Sequence, residues 1–111
     1  MTHIHDTEDM KYLSELRGAA PKEFKAWVGF DAIVGREDGA IPHKQRELIA
    51  IACATVTQCV YCLTAHTAAA KKAGATREEV AEAGLIAAAL RAGAGGTHAA
   101  LALKMFDNAP E

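Results

Sequence analysis

Apolar residues along this chain recur at helical rather than strand spacing. In "TEDMKYLSELR", residues 7–17, Met10, Leu13 and Leu16 repeat at three-residue steps behind Thr7, a residue suited to cap a helix. Pro21, favoured in a first helical turn, opens a segment with Phe24, Trp27 and Val28 on one face. That pattern stops before Gly35 and Gly39, which predicts a helix over about 21–34. A third segment begins at Pro42 and turns almost wholly apolar from Leu48 to Val56. Such a run predicts a central helix buried on most sides, with its polar first turns, including Lys44 and Glu47, near an edge or a cavity.

A fourth helix is expected over about 59–73, where Gly74 is placed to end it in a left-handed cap. Thr76 and Glu79 then form an S/T-x-x-E capping box ahead of a helix from 77 to about 92. "GAGG" at 93–96 predicts a break, and Thr97 a cap for a last helix. No segment alternates strictly, so the expectation is a compact all-α domain of five or six helices. It spans residues 1–111, with a core over about 20–105 and an N-terminal arm over 1–19. Alanines and glycines along the last two expected helices permit close helix approach. With few bulky residues to fill a monomeric core, they suit a subunit interface.

Composition narrows the function classes. Of 111 residues, 50% are hydrophobic but only 5% aromatic, and the formal net charge is −2, so no basic field invites nucleic acid. The start, "MTHIHDTEDMKYL", is polar and acidic rather than a signal peptide, and no apolar run approaches the roughly 18 residues of a membrane span. A cytoplasmic protein with no membrane partner is the expectation. Three cysteines are too few for a secreted disulfide scaffold, and an odd count leaves at least one thiol unpaired. Catalytic or metal chemistry therefore outranks structural bridging.

The chemistry concentrates in "TVTQCVYCLTAH", residues 55–66. At 100° per residue, Cys59, Cys62 and His66 fall within about a 60° arc of one helix face, so their side chains can meet. Cys59 stands at the expected N-terminus of the helix, where unpaired N–H groups and the helix dipole favour a thiolate. Cysteines three apart can also close a disulfide, and His66 is placed to accept a proton. If helices three and four pack antiparallel across a turn near 57–59, Glu47 reaches His66 and can orient it. Competing readings are two small side chains packed in an alanine-rich helix, or a zinc site of two thiolates, an imidazole and a carboxylate. Haem attachment is a weaker reading still, because Leu63, not histidine, follows the second cysteine. Cys53 is expected as a small buried hydrophobe and His98 at the surface or an interface. His3, His5, His43 and Lys44 are expected to be solvated. "GAGG" lacks the strand context of a dinucleotide loop.

The pattern Glu47, eleven residues, Cys59-Val-Tyr-Cys62, three residues, His66 resembles the alkylhydroperoxidase D-like branch of the carboxymuconolactone decarboxylase family. The resemblance covers roughly residues 20–105, including the order of helices. It implies an all-helical fold assembled as homotrimers or homohexamers, and a thiol peroxidase whose cysteine pair reduces a small hydroperoxide and becomes a disulfide. By the same resemblance Glu47 and His66 form a proton relay, Cys62 meets the peroxide and Cys59 resolves it, whereas helix position alone favours Cys59 as the more acidic thiol. Re-reduction then falls to an external dithiol such as a lipoyl protein, with no metal, flavin or other cofactor of the protein's own. Better-known members often carry histidine where Tyr61 stands. Two other functions stay open: decarboxylation of a lactone acid, hosted by the same fold generally without the cysteine pair, and a non-enzymatic redox-sensing oligomer.

Overall fold

The computed structural model describes residues 7–111, so His3 and His5 lie outside the described residues. A 3-10 turn, Thr7–Tyr12, leads into α1, Leu13–Ala19; α2 follows at Pro21–Asp31, α3 at His43–Thr57, α4 at Val60–Lys72 and α5 at Arg77–Asp107. No strand occurs among the described residues.

Local chemistry sets most of the boundaries. Pro21 occupies the first turn of α2, whereas Pro42 stands one residue outside α3, as its N-cap. Between them, residues 32–42 form a loop tied to α3 by Arg46. Its Nε donates to the Ile41 carbonyl (3.0 Å), and its Nη1 to those of Ile33 (2.9 Å) and Val34 (3.2 Å). Gln58 adopts a left-handed conformation, φ 56°, and the Cys59 N–H closes onto the Ala54 carbonyl at 3.0 Å. This left-handed cap turns the chain directly from α3 into α4. Gly74, at φ 92°, ends α4 in the same way, with Ala75 N–H bonded to Ala70 O. The Thr76–Glu79 capping box is fully formed at the start of α5.

The expected break at 93–96 does not occur: α5 runs unbroken for 31 residues. Thr97 caps nothing, its hydroxyl donating back to the carbonyls of Gly93 (3.2 Å) and Ala94 (3.0 Å). Glycine within a helix costs only about 1 kcal/mol relative to alanine, and alanine-rich flanks sustain the helix through the three glycines. Thr97 is followed three residues later by Ala100 rather than Glu or Gln, so no capping box forms there.

α3 packs between α4 and α5. Its buried residues, Glu47, Ile51 and Ala54, form a single stripe, and Ala70 and Ala87 complete the core from α4 and α5. Burial on most sides, expected for α3, is not observed: Ile49 and Cys53 are exposed in the single chain. Every residue from Ala88 onward is exposed, so the distal half of α5 projects from the bundle. The radius of gyration is 18.4 Å, against about 13 Å for a compact chain of this length.

Candidate active site

The site lies where α3 and α4 face each other. Glu47, one turn into α3, is 3% exposed, and its carboxylate is held from two sides. His66 Nδ1, from α4, lies 2.6 Å from Oε2, and His43 Nε2, one turn back on α3, lies 3.2 Å from Oε1. A carboxylate can only accept, so each facing ring nitrogen carries the proton and donates it. In the neutral imidazole this leaves His66 Nε2 unprotonated, an acceptor for a nearby acid. Gly35 closes the site from the loop: a Cβ built there would stand 2.6 Å from Glu47 Oε1, so only glycine lets the loop approach this closely.

Cys59 and Cys62 are joined in a disulfide at the start of α4. Cys59 is the N-cap of the helix, and its Sγ accepts the Cys62 N–H at 3.2 Å. Cys62 is exposed and Cys59 only half-buried. Two cavities meet at this point. One, of about 440 Å³, is walled mainly by apolar side chains, among them Phe30, Ile41 and Ile49, and reaches Cys53, Cys62 and His66. The second, of about 380 Å³, includes Met10, Leu13 and Trp27 in its wall, together with Cys59, Cys62 and His66. Cys62 and His66 line both, whereas Cys59 lines the second.

Glu47, Cys59, Cys62 and His66 are thus gathered at one place, as the antiparallel packing of α3 and α4 predicts. Other expectations change. Glu47, expected near an edge or a cavity, is itself buried and bonded to His66, which lines both cavities. Cys53 is exposed rather than buried, because it points into the first cavity instead of the α3 core stripe. His43 is half-buried on Glu47 rather than solvated; the signal was its position one helical turn before the carboxylate. Lys44 is not free but paired with Glu79 on α5 at 2.9 Å. The Glu79 carboxyl is held below its ordinary value of 4.5, first by the Thr76 backbone N–H and then by Lys44. His98 is exposed, its Nδ1 donating to the Ala94 carbonyl. Tyr61 donates to Asp9 at 3.1 Å and so ties the N-terminal turn over the second cavity, a tie between residues 52 apart that no local pattern announced.

The chain is thus an all-helical bundle with a buried carboxylate on α3 and Cys-x-x-Cys-x-x-x-His opening α4. The family model of the carboxymuconolactone decarboxylase family matches residues 21–105, and the chain belongs to that family. It is 46% identical over 70 residues to uncharacterized protein 4 in the cox locus of Paracoccus denitrificans, spanning 63% of each chain. That is less than two thirds of the relative's length. Similarity to an uncharacterized protein of Cupriavidus necator is broader, 35% identity over 101 residues, covering 91% of this chain and 88% of that one. The crystal structure of a Methanobacterium thermoautotrophicum protein has a similar fold, with a TM-score of 0.69 and 31% identity, covering 81% of this chain and 96% of that one. No helix among the described residues is long and apolar enough to cross a membrane.

Proposed function

We propose that this protein is a thiol-dependent peroxidase or disulfide oxidoreductase that cycles the Cys59–Cys62 pair between dithiol and disulfide. The observation that carries this reading is the disulfide at the start of α4, with His66 of the same cavity walls held by the buried Glu47. In the reduced protein, His66 Nε2 takes the proton of the Cys62 thiol. The thiolate attacks a hydroperoxide oxygen, the O–O bond breaks, and the departing alkoxide recovers the proton from His66 as an alcohol. Cys62 is left as a sulfenic acid. Cys59 sulfur then attacks it, releasing water and forming the disulfide, which an external dithiol such as a lipoyl group reduces again. Exposure of Cys62, and its place on both cavity walls, favour it over Cys59 as the sulfur that meets peroxide.

The chain acts in the cytoplasm as a homotrimer or homohexamer built from one domain. Support for assembly is the apolar surface the single chain leaves open: Leu85, Leu90, Leu103 and Phe106 of α5 are each more than 60% exposed. The accessible surface is 8884 Å², against about 5,900 Å² for a compact monomer of this mass. The excess is of the order that obligate interfaces bury.

Replacing Cys59 or Cys62 with serine is expected to abolish turnover of cumene hydroperoxide with a dithiol reductant. Full activity in both variants would overturn the mechanism.

A further inference from the structure

We propose that His43 is a positioning residue for the Glu47–His66 pair, an inference that rests on reading His66 as the base for the cysteine pair. Glu47 is almost wholly buried, and its two oxygens have one side-chain donor each, His66 on Oε2 and His43 on Oε1. The terminal torsion of a glutamate is soft, so a single donor does not fix the plane of the carboxylate. Two donors on opposite oxygens do. With Gly35 packed against the same Oε1, the carboxylate cannot turn away, and Oε2 stays aimed at His66 Nδ1.

His43 also limits how strongly Glu47 pulls on His66. A carboxylate that accepts two hydrogen bonds shares its charge between them; one that accepts only from His66 favours the imidazolium more strongly. Loss of the His43 donor therefore changes the charge that His66 faces across its Nδ1–H hydrogen bond, and with it the reaction that His66 assists. The charged groups around His43 are Glu47 on its own helix and Glu37 from the loop, whose Oε1 stands 3.9 Å from His43 Nδ1. Neighbouring Arg46 is turned to the loop carbonyls, and Lys44 to Glu79 on α5. From α4, His66 reaches the same carboxylate. His43 is the first residue of α3, so replacing it leaves the interior of the helix untouched.

The test compares wild type, His43→Ala and His43→Gln, since a glutamine amide can still donate to Oε1. Two readouts are taken on each: kcat/KM for cumene hydroperoxide against pH, and the pH dependence of iodoacetamide alkylation of the reduced Cys59–Cys62 pair. Thermal midpoints control for folding. His43→Ala is expected to lower kcat/KM about tenfold, as loss of one hydrogen bond to a charged group does. It should move the acid limbs of both profiles, and His43→Gln should restore both to near wild type. Unmoved profiles in His43→Ala would overturn the proposal, as would equal losses in the two variants accompanied by equal falls in thermal midpoint. A wild type that turns over no peroxide would defeat the functional reading instead. The alkylation series then decides the role of His43 alone: a shift in His43→Ala that His43→Gln reverses supports it, and no shift overturns it.

Discussion

Glu47 of α3 and His66 of α4, nineteen residues apart in sequence, share a 2.6 Å hydrogen bond with the carboxylate almost wholly buried. A buried carboxylate on an imidazole fixes which ring nitrogen carries the proton and stabilises the ring when it becomes charged. General acid–base groups placed this way typically contribute about 10²–10⁴-fold to rate. Glu47→Gln keeps the shape but removes the charge. The expected result is a loss of kcat/KM for cumene hydroperoxide of at least about 100-fold with the disulfide still able to form. Wild-type kinetics in this variant would remove Glu47 from the relay.

Thiol counting distinguishes the three cysteines. As oxidised, the protein should offer one reactive thiol, the exposed Cys53, and after reduction three. One equivalent of cumene hydroperoxide should then return the count to one, with peptide mapping locating a Cys59–Cys62 bridge. A bridge from Cys53 instead would assign the pair wrongly.

Gly35→Ala tests how tightly the loop closes over the site. The new methyl would lie 2.6 Å from Glu47 Oε1, so either the loop or the carboxylate must move. Overpacking of this kind costs about 1–3 kcal/mol. A fall in thermal midpoint together with lower activity is expected, whereas Gly18→Ala, in open space on α1, should leave activity unchanged and the helix slightly more stable. Equal behaviour of the two variants would mean that the loop is not held against Glu47.

Acid should weaken the junction between α3 and α5. The Glu79 carboxyl is depressed in the folded chain, by the Thr76 N–H and by Lys44, so folding favours its ionised form. Its contribution is therefore complete above the ordinary 4.5 of a free glutamate and is lost as pH falls below that value. Glu79→Gln should flatten the dependence of unfolding free energy on pH in that acid range, measured by urea titration. An unchanged slope would show that the carboxylate is not coupled to folding.

Most helix starts and the shared face of Cys59, Cys62 and His66 were legible in the sequence because each depends on local chemistry, whereas the place of Glu47 beside His66 followed only if α3 and α4 packed antiparallel. Pro21 and the Thr76–Glu79 box act within a turn of their own position, and Cys59, Cys62 and His66 share one helix face by periodicity alone. What failed depended on partners or on weak signals. Residues 93–96 looked like a stop, yet glycine disfavours a helix only mildly and the alanines around it carried α5 through. Cys53 looked buried because its neighbours are apolar, but on α3 only Glu47, Ile51 and Ala54 are buried. His43 and Lys44 looked solvated because their partners, a buried carboxylate and a residue on α5, become neighbours only on folding.

Cys59 caps α4 with its sulfur, receiving the Cys62 N–H. The dipole at a helix start favours negative charge, so it stabilises the reduced, thiolate form of the pair more than the uncharged disulfide. Whatever stabilises the reduced form raises the reduction potential. The same cap that orders the first turn of α4 thus biases the bridge toward accepting electrons, the opposite of what a permanent structural cross-link requires.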